Sequence, residues 1–487
     1  MRRVAAAVAA LFVLIACASE RDGGLDERGS RDRDRGGDSN QGAAEAPPAA
    51  DAKPGAAGLG DAYYPELGNG GYDVAHYDLD LRWDPRKGGL SGTVTIEATA
   101  TQDLSSFNLD FADLKVSKAT VDGAAATTKH QGEHELVVTP AEPIAKGAEF
   151  TTAITYAGDV RPGAALIPGL GGWNDDGKEV YVASEPDGAH GFYPVNDHPA
   201  DKATYTIKVT APDDQTVAAN GTLTGSGPGD APGTKAWTFD MPQPMASYLL
   251  QVLIGNLDVT SGKSEDGVVL RHAIDEDAFV RADENPVTKT GDMIDFYAEH
   301  FGPYPFDVYG VGVSDEDFGF ALETQTMSLF SAGLDEETAA HELAHQWFGD
   351  SVSLAQWQDI WLNEGFATYA SYLWLDHAGK ASVEELVRSG LTGSDVNTPP
   401  ADPGRDDLFG ASVYQRGAAT LYVLHQELGD DAFFRLLRTW NERYGGKNAT
   451  TADFEKLAEE VAGKDLTPLF DAWLRSDEVP RLSEWVR

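Results

Sequence analysis

The residues with the clearest capacity for chemistry lie in the segment HELAH at positions 341–345, which matches the H-E-x-x-H pattern. The apolar spacing around this segment predicts a helix. Because residues four apart lie on one face of a helix, His341 and His345 can both reach one ion while Glu342 projects beside them. The segment therefore predicts a metal site with an adjacent carboxylate base. The alternative interpretation is a pair of partly buried structural histidines.

A third metal ligand is indicated farther along the chain. Catalytic zinc usually takes three protein ligands and leaves its fourth position to water. Glu364 follows His345 after 18 intervening residues and opens the next helical pattern. A hairpin of two helices would bring this carboxylate back to the histidines. The pattern predicts one Zn²⁺ per chain, with His341, His345 and Glu364 as ligands and Glu342 as the base.

Two different sequence patterns indicate the domains that position these residues. Residues 61–259 contain short alternating runs, such as YDLDLRW and GTVTIEATA, which are typical of an antiparallel β domain. Residues 260–487 contain apolar residues three and four apart, as in NEGFATYASYLWLDHA, which indicate helices. A loop-like interval interrupts these helices at about 392–407. Strands followed by helices predict an α+β multidomain protein.

The first 60 residues carry the signals of an exported protein. A basic start and an apolar run as far as Ala16 have the layout of a secretory signal peptide over 1–17. The last four of these residues resemble the lipobox of bacterial lipoproteins, which implies that Cys17 is lipidated and holds the protein at the outer face of the cell membrane. The alternative is a small-residue cleavage site and a released protein. Residues 18–60 have few large apolar side chains, which predicts a disordered tether.

The charge balance argues against two classes of partner. The chain has 37 basic and 79 acidic residues and a formal net charge of -42. Phosphate backbones and anionic lipid surfaces would repel such a protein, so nucleic acid is not an expected partner.

Because Cys17 is the single cysteine, no disulfide can form within the chain. The oligomeric state is not indicated.

The metal segment and its surroundings resemble one known family. HELAHQWFGD, followed by WLNEGFATY at the H-E-x-x-H-(x18)-E spacing, is similar to the aminopeptidase N family of zinc metallopeptidases. PVNDHPADKATYTIKV and MASYLLQVLIGNLDV resemble further stretches of that family, and the similarity runs from about residue 64 to 424. The resemblance implies a saddle-like β-sandwich domain followed by a thermolysin-like, mostly helical zinc-peptidase domain. It also implies zinc-dependent removal of N-terminal residues from peptides that have a free N-terminus.

The resemblance extends to a strand that binds substrate. The segment Ala321-Leu322-Glu323-Thr324 corresponds to the last four residues of the family's G-A-M-E-N motif. This match implies that Ala321 and Leu322 lie along the substrate and that Glu323 binds its free α-amino group. Phe320 stands where the family usually has Gly, and Thr324 where it has Asn. These two departures leave the hydrogen bonding of the strand open.

Further roles follow from the same resemblance. Glu185, in SEPDGAHGFYPVNDHP, matches a second anchor for the amine, although His190 replaces the family's usual Arg. Tyr414, in a Tyr-Gln-Arg-Gly context, matches the catalytic tyrosine that stabilises an oxyanion. Without the resemblance, Glu185 reads as a turn residue and Tyr414 as a core tyrosine. Asp359 and Asn363 are candidates for orienting the metal ligands.

Three other functions compete with aminopeptidase activity. Relatives with the same zinc site include bifunctional epoxide hydrolases, and others keep the fold as non-catalytic peptide-binding scaffolds. Endopeptidase activity is disfavoured by Glu323. About 70 residues follow the tyrosine motif, so we expect an open, two-domain form whose preference among N-terminal side chains cannot be read from the sequence.

Overall fold

The structure is a computed structural model, and its described residues lie within the unit Pro48–Arg487. It describes residues 51–86, 89–112, 114–160, 170–278, 286–331, 333–393 and 395–486. The predicted signal peptide, Cys17 and the tether as far as residue 50 lie outside the described residues.

The first half of the described chain is built from β-strands. In order they are β1 (Lys53–Pro54), β2 (Tyr72–Trp83), β3 (Leu90–Ala100), β4 (Leu104–Asp110), β5 (Lys115–Val121), β6 (Ala124–Ala125), β7 (Thr127–Gln131), β8 (Glu135–Thr139), β9 (Glu149–Gly158), β10 (Gly172–Asp175), β11 (Val180–Ala183), β12 (Ala203–Pro212), β13 (Thr216–Ala219), β14 (Thr222–Pro228), β15 (Thr234–Met245) and β16 (Val252–Gly255). They form an eight-stranded sheet in the order β14-β15-β12-β2-β3-β9-β5-β6 and two four-stranded sheets, β1-β4-β8-β7 and β10-β11-β16-β13. The predicted β domain is confirmed.

Alternation of apolar and polar side chains explains why the large sheet has one buried face. Leu79, Leu81 and Trp83 on β2 are buried, and the polar residues between them are more exposed. The antiparallel pairing of β2 with β3 places Leu79 opposite Val94, which is also buried. A strand with this period presents one face to a core and the other to solvent.

The fold begins earlier than the sequence pattern indicates. Residues 51–60 were expected in the tether, yet the N–H groups of Lys53 and Gly55 donate to the carbonyls of Asp103 (3.0 Å) and Ser106 (2.8 Å) beside β4. A Cβ atom at Gly55 would lie 2.6 Å from the Gly70 carbonyl oxygen, so this close pairing requires glycine. The low hydrophobicity of this segment predicted disorder because composition describes side chains only. The segment is ordered by backbone hydrogen bonds, which composition does not reveal.

The second half combines a smaller sheet with helices. Its strands are β17 (Leu257–Lys263), β18 (Val269–Asp275), β19 (Val308–Val313), β20 (Ala321–Leu322), β21 (Met327–Phe330), β22 (Val352–Leu354) and β23 (Lys447–Ala449). Its helices are α1 (Thr290–Phe301), α2 (Glu336–Ala344), α3 (Trp361–His377), α4 (Val383–Gly393), α5 (Gly417–Leu428), α6 (Asp430–Tyr444), α7 (Thr451–Ala462), α8 (Thr467–Phe470) and α9 (Leu482–Trp485). The sheet order is β17-β18-β19-β21-β20. β17 starts at Leu257 and crosses the predicted boundary at 259, so this sheet takes in the last residues of the predicted β domain.

The helices provide a tryptophan-rich core. Trp347, Trp361, Trp440 and Trp473 are all fully buried, and α2 and α3 pack against each other. The α+β architecture, with strands first and helices later, is therefore confirmed.

The predicted loop at 392–407 overlaps the last residues of α4. Within the described ranges, no helix has both the length and the apolar character needed to cross a bilayer.

Asp61 connects the start of the fold to the helical half of the chain through hydrogen bonds. One carboxylate oxygen accepts hydrogen bonds from the Trp357 backbone N–H (2.9 Å) and from His198 (3.2 Å). The other accepts from the backbone N–H groups of Tyr63 (2.8 Å) and Tyr64 (3.0 Å). Burial acts to raise the pKa of Asp61, but these hydrogen bonds outweigh it and lower the pKa to about 2.

We predict that Asp61→Asn lowers the free energy of unfolding at pH 7 by about 1–3 kcal/mol, because charge-assisted hydrogen bonds are lost. The folded pKa lies below the usual 3.8. The ionised carboxylate therefore stabilises the fold above about pH 4, and this contribution is lost as the pH falls toward 2. Denaturant unfolding of both proteins at pH 7, 4 and 3 measures the difference. Asp78→Asn, at an exposed position of β2, is the control; a difference that does not change with pH would contradict the prediction.

Candidate active site

Two helices bring the three predicted metal ligands together. The backbone of α2 stays helical through His345, which caps it with φ -57 and ψ -26, so the four-residue spacing to His341 is preserved. Glu364 lies in the first turn of α3. The Nε2 atoms of His341 and His345 are 3.1 Å apart, and Glu364 Oε2 is 3.1 Å from the first and 3.5 Å from the second.

The donor atoms fit a tetrahedral zinc ion. Zinc bonds of about 2.0–2.1 Å separate tetrahedral ligand atoms by about 3.3–3.4 Å, close to the spacings found here. His345 Nδ1 lies 3.0 Å from the Phe348 carbonyl oxygen, which can only accept, so Nδ1 carries the proton and Nε2 keeps its lone pair. Two nitrogens and a carboxylate oxygen at this separation form a cation-binding set.

The electrostatics keep the carboxylate ligand charged. Burial alone would raise the pKa of Glu364, but His345 and His341 hold it at about 2. Without a bound metal, the reciprocal effect raises the pKa of His345 to about 10, against the opposing effect of its burial, so a metal ion that binds Nε2 takes the place of a proton there. Glu364 is therefore ionised across the neutral range, as a metal ligand must be.

Glu342 lies beside the ligand triangle, the three atoms His341 Nε2, His345 Nε2 and Glu364 Oε2, and is not part of it. One of its carboxylate oxygens lies within 4.8 Å of ligand atoms on Glu323 and His345. Burial raises the pKa of Glu342 well above its usual value; the charge of His345 opposes this and that of Glu323 adds to it. A buried carboxylate of this kind can accept a proton and hold it, which suits a general base.

Two further buried carboxylates face the same space. Glu185 and Glu323 are 3% and 2% exposed, and their carboxylate oxygens lie within 4.8 Å of each other and of Glu364. Oε1 of each has no hydrogen-bond partner among the described residues. Burial raises the pKa of both groups, and for Glu185 the charge of Glu323 raises it further. No described residue provides this pair with a cationic hydrogen-bond donor.

Glu185 and Glu323 are held by different parts of the fold. Glu185 follows β11 in the β region, and Glu323 follows the edge strand β20. Gln346 fixes the second segment: its Nε2 donates to the Glu323 carbonyl at 3.1 Å, and its Oε1 accepts from the Thr326 N–H at 2.7 Å. The backbone of Ala321 and Leu322 pairs with β21 on one side only.

The two departures from the family motif have local explanations. The Thr324 hydroxyl donates to the Met327 carbonyl, and the Met327 N–H donates back to the Thr324 carbonyl at 3.0 Å. Thr324 therefore closes the turn that follows Glu323. Phe320 packs on Phe318 with ring centroids 4.6 Å apart. Neither residue displaces the Glu323 carboxylate from the site.

Tyr414 reaches the site from a π-helical turn, Ser412–Arg416, that precedes α5. Its ring lies nearly parallel to that of His341, with centroids 6.0 Å apart. Burial raises the pKa of Tyr414 well above its usual value, and the charges of Glu364 and Glu185 add to the effect. The hydroxyl therefore stays protonated and can donate a hydrogen bond.

Sequence reasoning missed several contributors and misassigned one. Thr368 Oγ1 lies 3.4 Å from His341 Nδ1; it is four residues after Glu364 on α3, a spacing that could have identified it. Tyr248 accepts from Asn363 Nδ2 at 3.4 Å and donates to Glu323, and no sequence pattern singles it out. Asp359 does not orient a metal ligand. It accepts from the backbone and hydroxyl of Thr451 at the start of α7.

Comparison with known proteins covers both halves of the chain. Residues 74–249 match the peptidase M1 N-terminal domain, and residues 288–473 match the peptidase family M1 domain. The chain is 26% identical over 454 residues to a probable M1 family aminopeptidase 2 of Encephalitozoon cuniculi, covering 84% of this chain and 52% of that protein. The match to endoplasmic reticulum aminopeptidase 1 of Homo sapiens is also 26% over 454 residues, covering 84% and 48%. The chain thus spans about half the length of these curated relatives.

Solved structures match over nearly their whole length. The M1 zinc metallopeptidase from Deinococcus radiodurans is 32% identical, with a TM-score of 0.81, covering 87% of this chain and 98% of that one. A mutant of it bound to a Tyr-Ser-Ala substrate is 33% identical, with a TM-score of 0.82, covering 88% and 100%. These matches identify the metal of this site as zinc, with one catalytic ion per chain. The chain belongs to peptidase family M1, the zinc metallopeptidases of the aminopeptidase N type.

Proposed function

We propose that this protein is an aminopeptidase that hydrolyses N-terminal residues from peptides with one zinc ion. The observation that carries the proposal is the pair of buried carboxylates, Glu185 and Glu323, beside the three metal ligands. Both have an oxygen without a partner among the described residues, and a substrate ammonium group would supply the missing donors. Structural relatives of the same family support the proposal, one of them bound to a Tyr-Ser-Ala substrate.

The two carboxylates account for exopeptidase selectivity. If Glu323 and Glu185 bind the α-ammonium group, only the first peptide bond reaches the metal ligands. An internal peptide segment has no ammonium group there and leaves both buried carboxylates unpaired, which is energetically costly. Selectivity for free N-termini therefore follows from the distance between the amine site and the metal site.

The remaining residues divide the chemistry between them. When bound, zinc lowers the pKa of a water molecule toward about 7 and polarises the substrate carbonyl. The carboxylate of Glu342 accepts the proton of the attacking water and passes it to the nitrogen of the leaving amine. The hydroxyl of Tyr414 donates a hydrogen bond to the oxyanion that develops on the former carbonyl oxygen.

We predict that Tyr414→Phe lowers kcat by about 10²–10³-fold and changes KM little, because the donor is used mainly in the transition state. Steady-state kinetics on an aminoacyl arylamide measures both constants. Tyr422→Phe on α5 is the matched control and should retain full turnover. If kcat of Tyr414→Phe were within twofold of that of the parent, the tyrosine would have no role in the mechanism.

The proposed activity is tested by comparing three substrate types on the zinc-loaded protein. Aminoacyl arylamides should turn over, activity should disappear with a chelator and return with zinc, and N-acetylated versions should be poor substrates. Turnover of an epoxide in place of the arylamides would favour the epoxide hydrolase alternative. No turnover of any substrate by protein that retains zinc would favour a peptide-binding scaffold.

We also propose that the protein is exported and anchored through a lipid on Cys17. The basic start, the apolar run and the position of the single cysteine support this proposal. Cys17→Ser should move the protein from the membrane fraction to the soluble fraction and abolish incorporation of labelled fatty acid. If fractionation and labelling are the same for Cys17→Ser and the parent, the anchor is not at Cys17.

A further inference from the structure

A second group of metal-binding side chains lies in the β region. It comprises Asp110 at the end of β4, His134 just before β8, Glu135 at the start of β8, and His190 in the short turn Ala189–Gly191. Ligand atoms of Asp110, His134 and Glu135 all lie within 4.8 Å of one another. The rings of His134 and His190 have centroids 5.3 Å apart. None of these residues is a ligand of the catalytic zinc.

Backbone hydrogen bonds hold the three segments in place. β4 and β8 are antiparallel with Asp110 directly opposite Glu135. Just beyond β4, the Phe111 N–H donates to the His134 carbonyl at 2.5 Å, and the Ala112 N–H donates to the His190 carbonyl at 2.9 Å. The approach of the four side chains is therefore a property of the sheet and its turns.

The carboxylates of this group are buried and incompletely paired. Asp110 is fully buried and Glu135 is 9% exposed. Asp110 Oδ2 accepts from Asn69 (2.9 Å) and from the Asp197 N–H (2.8 Å), but its Oδ1 has no partner among the described residues. Both carboxylate oxygens of Glu135 also lack a described partner. Burying carboxylate oxygens without hydrogen-bond donors is energetically costly unless a cation or a proton compensates their charge.

Both histidines are oriented as metal-binding histidines are. His190 Nδ1 lies 2.7 Å from a carboxylate oxygen of Asp197, whose other oxygen accepts from the Ser247 hydroxyl at 2.7 Å. His134 Nε2 lies 3.1 Å from the Glu66 carbonyl oxygen. Because these oxygens accept a ring N–H, the other nitrogen of each imidazole is the one that can bind a metal when it carries no proton. A carboxylate or carbonyl behind the ring is the usual support of a ligating histidine.

We propose that Asp110, His134, Glu135 and His190 form a second metal site, additional to the catalytic zinc, that binds a divalent cation of the zinc class. Two imidazoles with two carboxylates suit zinc and its transition-metal neighbours, whereas calcium and magnesium prefer oxygen ligands alone. The usual arginine of the family at position 190 could not ligate a metal, so His190 makes the site a feature of this chain.

A bound ion would also act on the neighbouring loop. His190 lies five residues after Glu185, in the loop that follows β11. An ion held jointly by β4, β8 and His190 ties this loop to the four-stranded sheet. The competing explanation is a proton in place of the ion, because burial and the charge of Glu66 raise the pKa of Glu135 to about 7.

Zinc stoichiometry distinguishes an ion from a proton. The full chain is equilibrated with zinc alone, freed of unbound metal by gel filtration, and its zinc content measured. We expect two ions per chain for the parent, one for His341→Ala/His345→Ala, and none when Glu135→Gln and His134→Ala are added. His130→Ala is the matched control: this ring packs on Phe111, 5.9 Å between centroids, and its loss should not change the stoichiometry.

Affinity provides a second test that leaves the four proposed ligands unchanged. In the His341→Ala/His345→Ala background, Asp197→Asn should weaken zinc binding about 10–100-fold in calorimetric titration, because the support of His190 is changed. If that background binds no zinc, or if the His134 and Glu135 changes leave its one ion in place, the second site is refuted. The background lacks two of the three catalytic ligands, so the result does not depend on the proposed peptidase activity. Should the four-residue variant fail to fold, the Asp197→Asn titration decides.

Discussion

Glu342→Gln is expected to lower kcat by about 10²–10⁴-fold while the protein keeps its zinc. Glutamine has the shape of glutamate but cannot take a proton from the attacking water. The Glu342 carboxylate lies beside the three metal ligands but contributes no atom to the ligand triangle. Metal binding should therefore survive the substitution. The checks are kcat on an aminoacyl arylamide and zinc content per chain, measured on the same preparation.

The comparison with His345→Ala separates loss of the base from loss of the metal. His345 contributes Nε2 to the ligand triangle and is held through Nδ1 by the Phe348 carbonyl. Its removal should abolish activity and also reduce bound zinc in the catalytic site. If Glu342→Gln lost zinc to the same extent, its effect would be on the metal; if it kept full activity, another residue would be the base.

The metal ligands could be predicted from the sequence because their geometry is local. His341 and His345 are one helical turn apart, and α2 keeps helical backbone angles through His345. Glu364 required one further assumption, a helix hairpin, and α3 packs against α2 as that assumption needs. A short sequence separation leaves few ways of arranging such residues, so spacing is informative.

The amine-binding pair could not be predicted from spacing. Glu185 and Glu323 follow strands of different sheets and lie more than 100 residues apart in the chain, so only packing of the two halves makes them neighbours. The family resemblance identified them, as it did Tyr414. Tyr248 and Gln346 were missed because their roles depend on that same packing.

The fold boundaries and the second group of ligands also depend on contacts between distant parts of the chain, which spacing does not predict. Composition predicted disorder as far as residue 60, whereas backbone pairing with β4 starts at Lys53. Asp110 and Glu135 are brought together by strand register, which no periodic pattern within either strand encodes. Local patterns predicted the order of strands and helices, and long-range pairing decided where they start and which side chains meet.

Glu323→Gln is expected to lower kcat/KM for peptides with a free N-terminus by about 10²–10³-fold, since losing one partner of a buried charge pair costs about 2–5 kcal/mol. The amide keeps the volume of the carboxylate, which is 2% exposed, so the fold should not change. Most of the effect should fall on KM, because the ammonium is bound in the ground state as well as in the transition state. Glu299→Gln, at an exposed position of α1, is the matched control.

The ratio of activities on free and N-acetylated substrates shows whether Glu323 acts on the amine. The parent should strongly prefer the free amine, and Glu323→Gln should reduce this preference, because only the free substrate loses an ionic partner. Glu185→Gln should act in the same direction, and the double variant should lose less than the sum of the two single effects if both carboxylates bind one ammonium group. An unchanged ratio in Glu323→Gln, with equal losses on both substrates, would show that the carboxylate supports the metal site and not the amine.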